Sequence, residues 1–321
     1  WPLCAFVRAA FFFWFLFFGA RHHAIMKLFR EAGRFSTGFP FFVENFSGWE
    51  RFVMKERFGF IGCGNMGGAL ARAACRGAGP QQVLISGRTP EKVARLAEEL
   101  GCRPSTNEEI AQTCDFIFLG VKPQMMAGML AQIAPILRER AGGFVLVSMA
   151  AGLTTGQILD MAGGEYPILR IMPNTPCAVG QGMVQYAAKG LEAQQLNAIL
   201  EGMAPAGRWD ALDEGLIDAA SSVSGCGPAF AYLFIESLAD GAVACGLPRA
   251  KAQEYAAQMA LGAARMVLES GQHPGALKDA VCSPGGTTIQ GVRALEEHGF
   301  RAAVQSAVIA AFEKSREFAG K

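Results

Sequence analysis

Two glycine-bearing turns, far apart in the chain, carry the residue types best suited to chemistry. The first, Gly62–Gly67 (GCGNMG), precedes an Ala-rich segment of helical character, and the second, Ser283–Thr288 (SPGGTT), also precedes a predicted helix. Unpaired N–H groups and the positive dipole end make a helix N-terminus favourable for anions. The first turn therefore predicts a phosphate site. The second predicts a carboxylate site with hydroxyl ligands, or a plain helix cap.

The first turn has the context that a dinucleotide-binding fingerprint requires. It follows a short apolar strand predicted over 57–61 and opens a helix. In the G-x-G-x-x-G pattern, the first glycine permits the tight turn, the second lets the backbone approach a pyrophosphate, and the third lets the helix pack closely on the strand. We expect these residues to bind a dinucleotide: Gly62, Gly64, Asn65, Met66 and Gly67.

The end of the next predicted strand, 82–86, indicates which dinucleotide. An NAD site normally has Asp or Glu here to accept from the ribose 2′-hydroxyl. This chain has Ser86, Arg88 and Thr89 instead, with no acid. A guanidinium pairs well with a phosphate. The pattern favours NADPH over NADH, and the alternative interpretation of Arg88 is a solvated surface charge.

Strands and helices continue to alternate beyond this point. Unbroken apolar runs predict buried strands over 115–121, 144–148 and 166–172. A helix is predicted over about 90–100, and another is expected to be capped by Asn107. Ligands bind at the carboxyl ends of the strands in open α/β sheets. The loops that follow the predicted strands should converge on one site: 62–67, 86–89, 120–123, 148–152 and 173–176.

After about residue 217 the pattern becomes helical. Glycine and proline positions predict helices over 228–245, 249–270, about 287–298 and about 300–318. Helices that are apolar on more than one face need to be buried, so we expect this region to pack against a second subunit. The predicted fold is α/β: a Rossmann-type doubly wound sheet over 54–216, binding NADP, followed by an all-helical substrate-binding and dimerisation domain over 217–321.

Residues 1–53 do not fit this organisation. They hold 14 of the 24 Phe, and their longest apolar run, 11–18, is too short to span a bilayer. The favoured hypothesis is a non-native, disordered extension translated in frame, with the true start at Met54. The alternatives are a targeting segment or a membrane-associating segment.

Composition excludes several function classes. A net charge of +1 argues against an electrostatic nucleic-acid binder. Nine scattered cysteines without a C-x-x-C pair are typical of a reducing compartment, which predicts the cytoplasm. Beyond Met54 only His273 and His298 remain, so neither a His-based metal site nor a Ser-His-Asp triad is expected.

The helical region offers hydroxyls near its glycine turn but no obvious strong acid or base. Oxidising an alcohol usually requires a base to remove the hydroxyl proton. A protonated imine is already an electrophile, so its reduction requires a hydride and good orientation. These residues therefore favour the reduction of an imine.

The segment 277–296 (LKDAVCSPGGTTIQGVRALE) resembles the signature of the pyrroline-5-carboxylate reductase family. The resemblance covers essentially all of 54–321. Cys226 departs from it, because the family usually has Ser at that position, and a hydroxyl is lost there. The supporting matches are 60–67 (FIGCGNMG), 121–123 (VKP), 150–152 (AAG), 172–176 (MPNTP), 224–230 (SGCGPAF) and 239–241 (ADG).

The resemblance implies NAD(P)H-dependent reduction of 1-pyrroline-5-carboxylate to L-proline, the last step of proline biosynthesis. It implies that Ser283 and Thr288 are catalytic, with Thr288 bonded to the ring nitrogen, and that Lys278 is a surface charge or a catalytic residue. It also implies a homodimer with interlocked helical domains, often assembled further. The implied substrate ligands are Ser283, Gly286, Thr287, Thr288 and Glu214, the last favouring the iminium charge. The implied cofactor-lining residues are Asn107, Val121, Lys122, Pro123, Ala151 and Gly152.

Two other functions stay open at this point. A β-hydroxyacid dehydrogenase shares the two-domain plan but uses a Lys deep in its helical domain, and the helix after Pro228 has no Lys before Arg249. A non-catalytic NADP-binding sensor would keep the first turn without needing the second. On every interpretation the partner is a small molecule, and we expect no nucleic acid and no stable membrane association.

Overall fold

The computed structural model describes residues 57–140 and 143–318. The expectations for 1–53 lie outside the described residues. A single eight-stranded sheet has the order β3-β2-β1-β4-β5-β6-β7-β8. The strands are β1 (Phe58–Ile61), β2 (Val83–Ser86), β3 (Arg103–Pro104), β4 (Phe116–Leu119), β5 (Val145–Ser148), β6 (Ile168–Met172), β7 (Gly182–Lys189) and β8 (Gly207–Ala211).

Helices connect the strands and then form the rest of the chain. The helices between strands are α1 (Asn65–Gly77), α2 (Pro90–Leu100), α3 (Asn107–Thr113), α4 (Pro123–Arg140), α5 (Thr155–Ala162) and α6 (Ala193–Met203). Those after the sheet are α7 (Ile217–Ser224), α8 (Gly227–Ala244), α9 (Arg249–Ser270), α10 (Pro274–Ala280), α11 (Thr287–Glu297) and α12 (Phe300–Phe318).

The strand directions confirm the predicted fold class. All neighbouring strands are parallel except β6 and β7, which are antiparallel. The order of the first six strands is that of a Rossmann dinucleotide-binding sheet. Each strand predicted from an apolar run is present, with ends that differ from the prediction by two residues at most. The sequence did not predict β3, β7 or β8, because none of them is an unbroken apolar run.

The core lies on both faces of the sheet because side chains alternate along each strand. Phe58 and Phe60 of β1 point to one face, where they meet Phe116 and Phe118 of β4. The ring centroids of Phe58 and Phe116 are 5.0 Å apart, and those of Phe60 and Phe118 are 4.4 Å apart. Ile61 and the alternate residues of β4 point to the other face and pack under α3 and α4. The apolar contacts on both faces fix β1 and β4, whose ends carry the site.

Only helices and short 3-10 turns follow β8 in the described chain. Helices α8 and α9 pack together, and α7 packs against α12 and β7. Many large apolar side chains are exposed in the single chain, among them Tyr232, Leu233, Leu261, Leu268 and Ile309. Among the described helices, none has the length and apolar character needed to cross a bilayer. The domain boundary at 216/217 stays a prediction, since Met54–Lys321 clusters as one unit.

Candidate active site

Gly62 makes a turn that other residues could adopt only with strain. Its φ is +97°, and a Cβ at this position would lie 2.8 Å from backbone atoms of Gly120 and Val121. The backbone N–H groups of Gly62 and Cys63 both donate to the carbonyl oxygen of Ser86, at 3.0 Å. The turn is therefore closely packed between β2 and the end of β4.

Gly64 and Gly67 differ in the space that a side chain would find: Gly67 has none, whereas Gly64 faces open space. A Cβ on Gly67 would overlap the carbonyl oxygen of Gly62, so α1 packs closely on the turn. A Cβ on Gly64 would meet no described atom within 4 Å. Gly64 is the N-cap residue of α1, and no side chain of the described residues caps that helix. An uncapped helix N-terminus beside open space fits a diphosphate, so these residues fit a dinucleotide.

The end of β2 contains a polar pair that the sequence did not predict. The buried Ser86 hydroxyl donates to Oδ1 of Asn107 at 2.7 Å, and Nδ2 of Asn107 donates to Gln132 at 3.1 Å. The prediction that Asn107 caps a helix was wrong by one residue. Thr106 is the cap, since its hydroxyl accepts from the backbone N–H of Glu109. Asn107 is instead held at the end of β2, next to Ser86.

Arg88 and Thr89 follow β2 at the surface and are both exposed. Within residues 57–140 and 143–318, the Arg88 guanidinium has no hydrogen-bond or ion-pair partner. Its guanidinium is therefore available to a ligand. The role of Arg88 toward a 2′-phosphate stays a prediction.

The loops after β4 and β5 lie at the same edge of the sheet as the glycine turn. Ile61 pairs with Leu119, and Leu119 pairs with Ser148, so the three strands end side by side. The residues predicted to line the cofactor follow directly after these ends: Val121, Lys122, Pro123, Ala151 and Gly152. The structure thus brings the predicted cofactor loops together, as the parallel arrangement requires.

The second glycine turn leads into α11. Gly285 has φ of +68°, Gly286 donates its N–H to the carbonyl oxygen of Ser283 at 3.0 Å, and Gly286 is the N-cap residue. Within the described chain, no side chain caps α11. Ser283, Thr287 and Thr288 are exposed. The start of α11 therefore offers N–H groups and free hydroxyls to an anionic ligand.

Lys278 and Cys63, which lie close to these turns in sequence, are both held in their protonated forms. The Lys278 ammonium pairs with Asp279 at 2.5 Å, and this bond raises its pKa, so Lys278 stays protonated and is a poor base. Burial raises the pKa of the Cys63 thiol to about 12, so this thiol is neutral near pH 7. The contacts favour the surface-charge interpretation of Lys278.

The Glu214 carboxylate is bonded to other residues of the protein, which the sequence did not predict. One carboxylate oxygen accepts from the backbone N–H of Thr155 at 2.7 Å, and the other accepts from its hydroxyl at 2.8 Å. Arg170 is 3.4 Å from the first oxygen. Glu214 also lines a surface groove to which no residue of the Ser283–Thr288 turn contributes. These contacts argue against a direct role toward the substrate, which stays a prediction.

A set of polar residues between the sheet and α7, most of them buried, was not predicted from the sequence. Arg170 pairs with Asp218 at 2.7 Å. Asn174 donates to the carbonyl oxygen of Ser224 at 2.9 Å, and the Ser224 hydroxyl donates to Gln185 at 2.9 Å. A signal for Arg170 was present, because a charged residue stands inside the otherwise apolar strand ILRIM. Within the described ranges, no group of three or more His, Cys, Asp or Glu is arranged to hold a metal ion.

Comparison with known proteins gives two family models that match two separate parts of this chain. Residues 57–152 match the model described as NADP oxidoreductase coenzyme F420-dependent, and residues 214–318 match the one described as pyrroline-5-carboxylate reductase dimerisation. Pyrroline-5-carboxylate reductase of Escherichia coli (strain K12) is 42% identical over 268 residues, covering 82% of this chain and 98% of that protein. The chain belongs to the pyrroline-5-carboxylate reductase family.

Other reductases of the family support the same assignment. The enzyme of Pisum sativum is 40% identical over 262 residues, 81% of this chain and 94% of its own. The crystal structure of Plasmodium falciparum pyrroline carboxylate reductase with NADP bound has a TM-score of 0.74 at 34% identity, covering 83% of this chain and 98% of that one. Residues 214–318 match the dimerisation model, which supports a homo-oligomer, and many of the exposed apolar side chains lie in this same part of the chain.

Arg88 gives a prediction about cofactor choice within this family. The variant Arg88→Ala is expected to raise KM for NADPH by about tenfold to a hundredfold, because a hydrogen bond to a charged group contributes about 1.5–3 kcal/mol. KM for NADH, which lacks the 2′-phosphate, should stay unchanged. Steady-state kinetics with each cofactor measure this. Arg95→Ala, on the exposed side of α2, is the control, and equal losses with both cofactors would contradict the prediction.

Proposed function

We propose that this protein catalyses the NAD(P)H-dependent reduction of 1-pyrroline-5-carboxylate to L-proline. The observation that carries the proposal is the start of α11, where an uncapped helix N-terminus stands beside the free hydroxyls of Ser283, Thr287 and Thr288. A small imino acid has one carboxylate and one ring nitrogen. The N–H groups of this turn suit the carboxylate, and a hydroxyl suits the nitrogen.

The chain's own residues would act mainly by binding and orientation. The uncapped start of α1 would hold the diphosphate of the dinucleotide, and Arg88 would hold its 2′-phosphate. NADPH supplies the hydride when bound. Ser283 and the N–H groups at the start of α11 would hold the substrate carboxylate. The Thr288 hydroxyl would accept a hydrogen bond from the protonated ring nitrogen and so fix the face that the imine carbon presents.

A homodimer is the proposed minimum assembly. The substrate turn is exposed in the single chain, and so are the apolar faces of the helices beside it. A second copy packed on these faces would bury them and enclose the turn. Eight cysteines of the described residues are free thiols, which supports the cytoplasm, where glutathione keeps thiols reduced.

The assembly gives a second prediction. Leu261 is 49% exposed in the single chain. The variant Leu261→Glu is expected to halve the mass measured by light scattering after size-exclusion chromatography, because burying an unpaired charge in an apolar interface is costly. Gln81→Glu adds the same charge on the sheet half and should leave the mass unchanged. A Leu261→Glu variant of undiminished mass would contradict a helical interface that includes this residue.

The reaction itself is tested by following NADPH absorbance after 1-pyrroline-5-carboxylate is added to the full chain. The same assay is run on a version that begins at Met54. We expect oxidation of NADPH with stoichiometric formation of proline in both. If neither version oxidises NADPH at any pH near neutrality, the proposed function is wrong.

A further inference from the structure

A buried charge cluster joins the sheet to the first helix that follows it. Arg170, in the middle of β6, is 1% exposed. One nitrogen of its guanidinium is 2.7 Å from a carboxylate oxygen of Asp218 in α7, and another is 3.4 Å from Glu214. Glu214 in turn accepts both hydrogen bonds from Thr155, the first residue of α5. The cluster therefore connects α7 with two elements that precede it by more than 40 residues, β6 and the start of α5.

Thr155 places this cluster next to the cofactor side of the sheet. The loop Ala151–Gly152, predicted to line the cofactor, precedes Thr155 by only a few residues. Gly152 has φ of +76°, and Thr154 caps α5 through a reciprocal pair of bonds with Gln157. The exit of the loop is thus fixed by the capped helix, and Glu214 holds the first residue of that helix. Movement of Glu214 would be transmitted to the loop.

Helix α7 is attached to the sheet at both of its ends. Asp218 holds its first turn to Arg170, and Ser224, its last residue, is held by Asn174 and Gln185. All helices that lead to the substrate turn follow α7 in the chain. The next one, α8, has 18 residues and spans about 27 Å. A tilt of about 5° at its base would move its far end by about 2 Å.

The energetics do not favour stability as the reason for this cluster. Burying charges costs hydration free energy, and apolar residues of similar volume often stabilise a protein as well or better. In addition, Nε of Arg170 is buried without a hydrogen-bond partner among the described residues. A buried arginine with an unsatisfied N–H group lowers the free energy of unfolding relative to a fully bonded or apolar side chain. The Arg170 guanidinium makes directional contacts with two carboxylates, and an apolar side chain could not make such contacts.

We propose that Arg170 is a positioning residue for the reductase reaction. Through Glu214 and Asp218 it fixes the angle at which α7 leaves the sheet, and thereby the place of the substrate turn relative to the cofactor loop. This inference rests on the proposed function. A misplacement of about 1 Å between reacting groups can cost about a hundredfold in rate, so a small change of this angle should be measurable.

The test must separate positioning from folding. The single variant Arg170→Met leaves Asp218 buried without its partner and is expected to lose stability. The triple variant Arg170→Met, Glu214→Gln, Asp218→Leu removes all three charges, leaves no unpaired polar group in the place of Asp218, and keeps in Gln an oxygen that can still accept from Thr155. Its Tm should equal or exceed that of the wild type. Arg140→Met is the matched control, because Arg140 also bonds buried backbone, at Ala111 and Cys114, but lies within the sheet half.

For the triple variant of the full chain we expect kcat to fall by about tenfold or more, with Kd for NADPH unchanged. The isotope effect on kcat with NADPH deuterated at the nicotinamide C4 should rise, because hydride transfer becomes slower. Arg140→Met should lower Tm without changing either kinetic quantity. Wild-type kcat and isotope effect in the triple variant would overturn the proposal. A marked fall in its Tm would also do so, by assigning the cluster to stability.

Failure of the proposed function is recognised separately. If the wild type does not oxidise NADPH with 1-pyrroline-5-carboxylate, the function is wrong, and the angle is then measured by small-angle X-ray scattering, which needs no turnover. The scattering profile should change in the triple variant and not in Arg140→Met. An unchanged profile would overturn the role of Arg170 in setting the angle.

Discussion

Gly64→Ala is expected to weaken NADPH binding by about tenfold to a hundredfold without changing Tm. The protein itself has room for the methyl group, because a Cβ on Gly64 meets no described atom within 4 Å, and the φ of −76° suits alanine. We expect the diphosphate of NADPH to occupy this space, so that the added methyl group would contact it. An extra methyl group in a close contact costs about 1–3 kcal/mol, which corresponds to about tenfold to a hundredfold in Kd. Fluorescence titration of NADPH measures the effect.

The neighbouring glycines provide matched controls for this experiment. At Gly68 a Cβ would lie at an ordinary 3.5 Å from Leu96, so Gly68→Ala should keep both Tm and Kd. At Gly67 a Cβ would overlap the carbonyl oxygen of Gly62, so Gly67→Ala should lower Tm as well as binding. If Gly64→Ala binds NADPH as tightly as Gly68→Ala does, the diphosphate does not lie at the start of α1.

Thr288→Ala is expected to reduce kcat by about tenfold to a hundredfold while Kd for NADPH stays unchanged. A hydrogen bond to a charged group contributes about 1.5–3 kcal/mol, and each 1.36 kcal/mol is tenfold in rate. Thr288 lies in the first turn of α11 with its side chain exposed, so its removal should not disturb the fold. Stopped-flow measurement of NADPH oxidation with saturating 1-pyrroline-5-carboxylate gives the rate.

Two further variants define the outcome at Thr288. Thr288→Ser keeps the hydroxyl and should recover most of the rate. Gln290→Ala, exposed on the same helix, should behave as the wild type. A Thr288→Ala variant with undiminished turnover would exclude a role for this hydroxyl in orienting the imine. A protein that acts only as a sensor of NADP would have no turnover to lose.

Local pattern was sufficient for most of the fold. The strands that are buried on both faces are mainly apolar, as in Phe116–Leu119, and each was predicted, although β6 contains the charged Arg170. The long helices were predicted from their glycine and proline boundaries; Gly271, for example, ends α9 with φ of +65°. The strand Gly182–Lys189 was missed because it is half-buried and mixes polar with small residues.

In the candidate site, too, some features could be predicted from local sequence and others could not. The glycine turns could be recognised because each is contiguous and carries its own signal, a glycine with a conformation that few other residues adopt. The role of Glu214 could not be predicted, because its partners Thr155 and Arg170 stand 59 and 44 residues away. Nothing in the local sequence indicates that two such positions meet.

The sequence by itself determined the alternation of strands and helices, the two glycine-bearing turns and the absence of an acid directly after β2, because each depends on neighbouring residues. Only the tertiary structure decided which charged side chains are buried and which of them pair with one another. Arg170, Glu214 and Asp218 become partners solely through the pairing of β6 in the sheet and the return of the chain at α7. Burial and long-range contact are properties of the folded chain, and no local pattern specifies them.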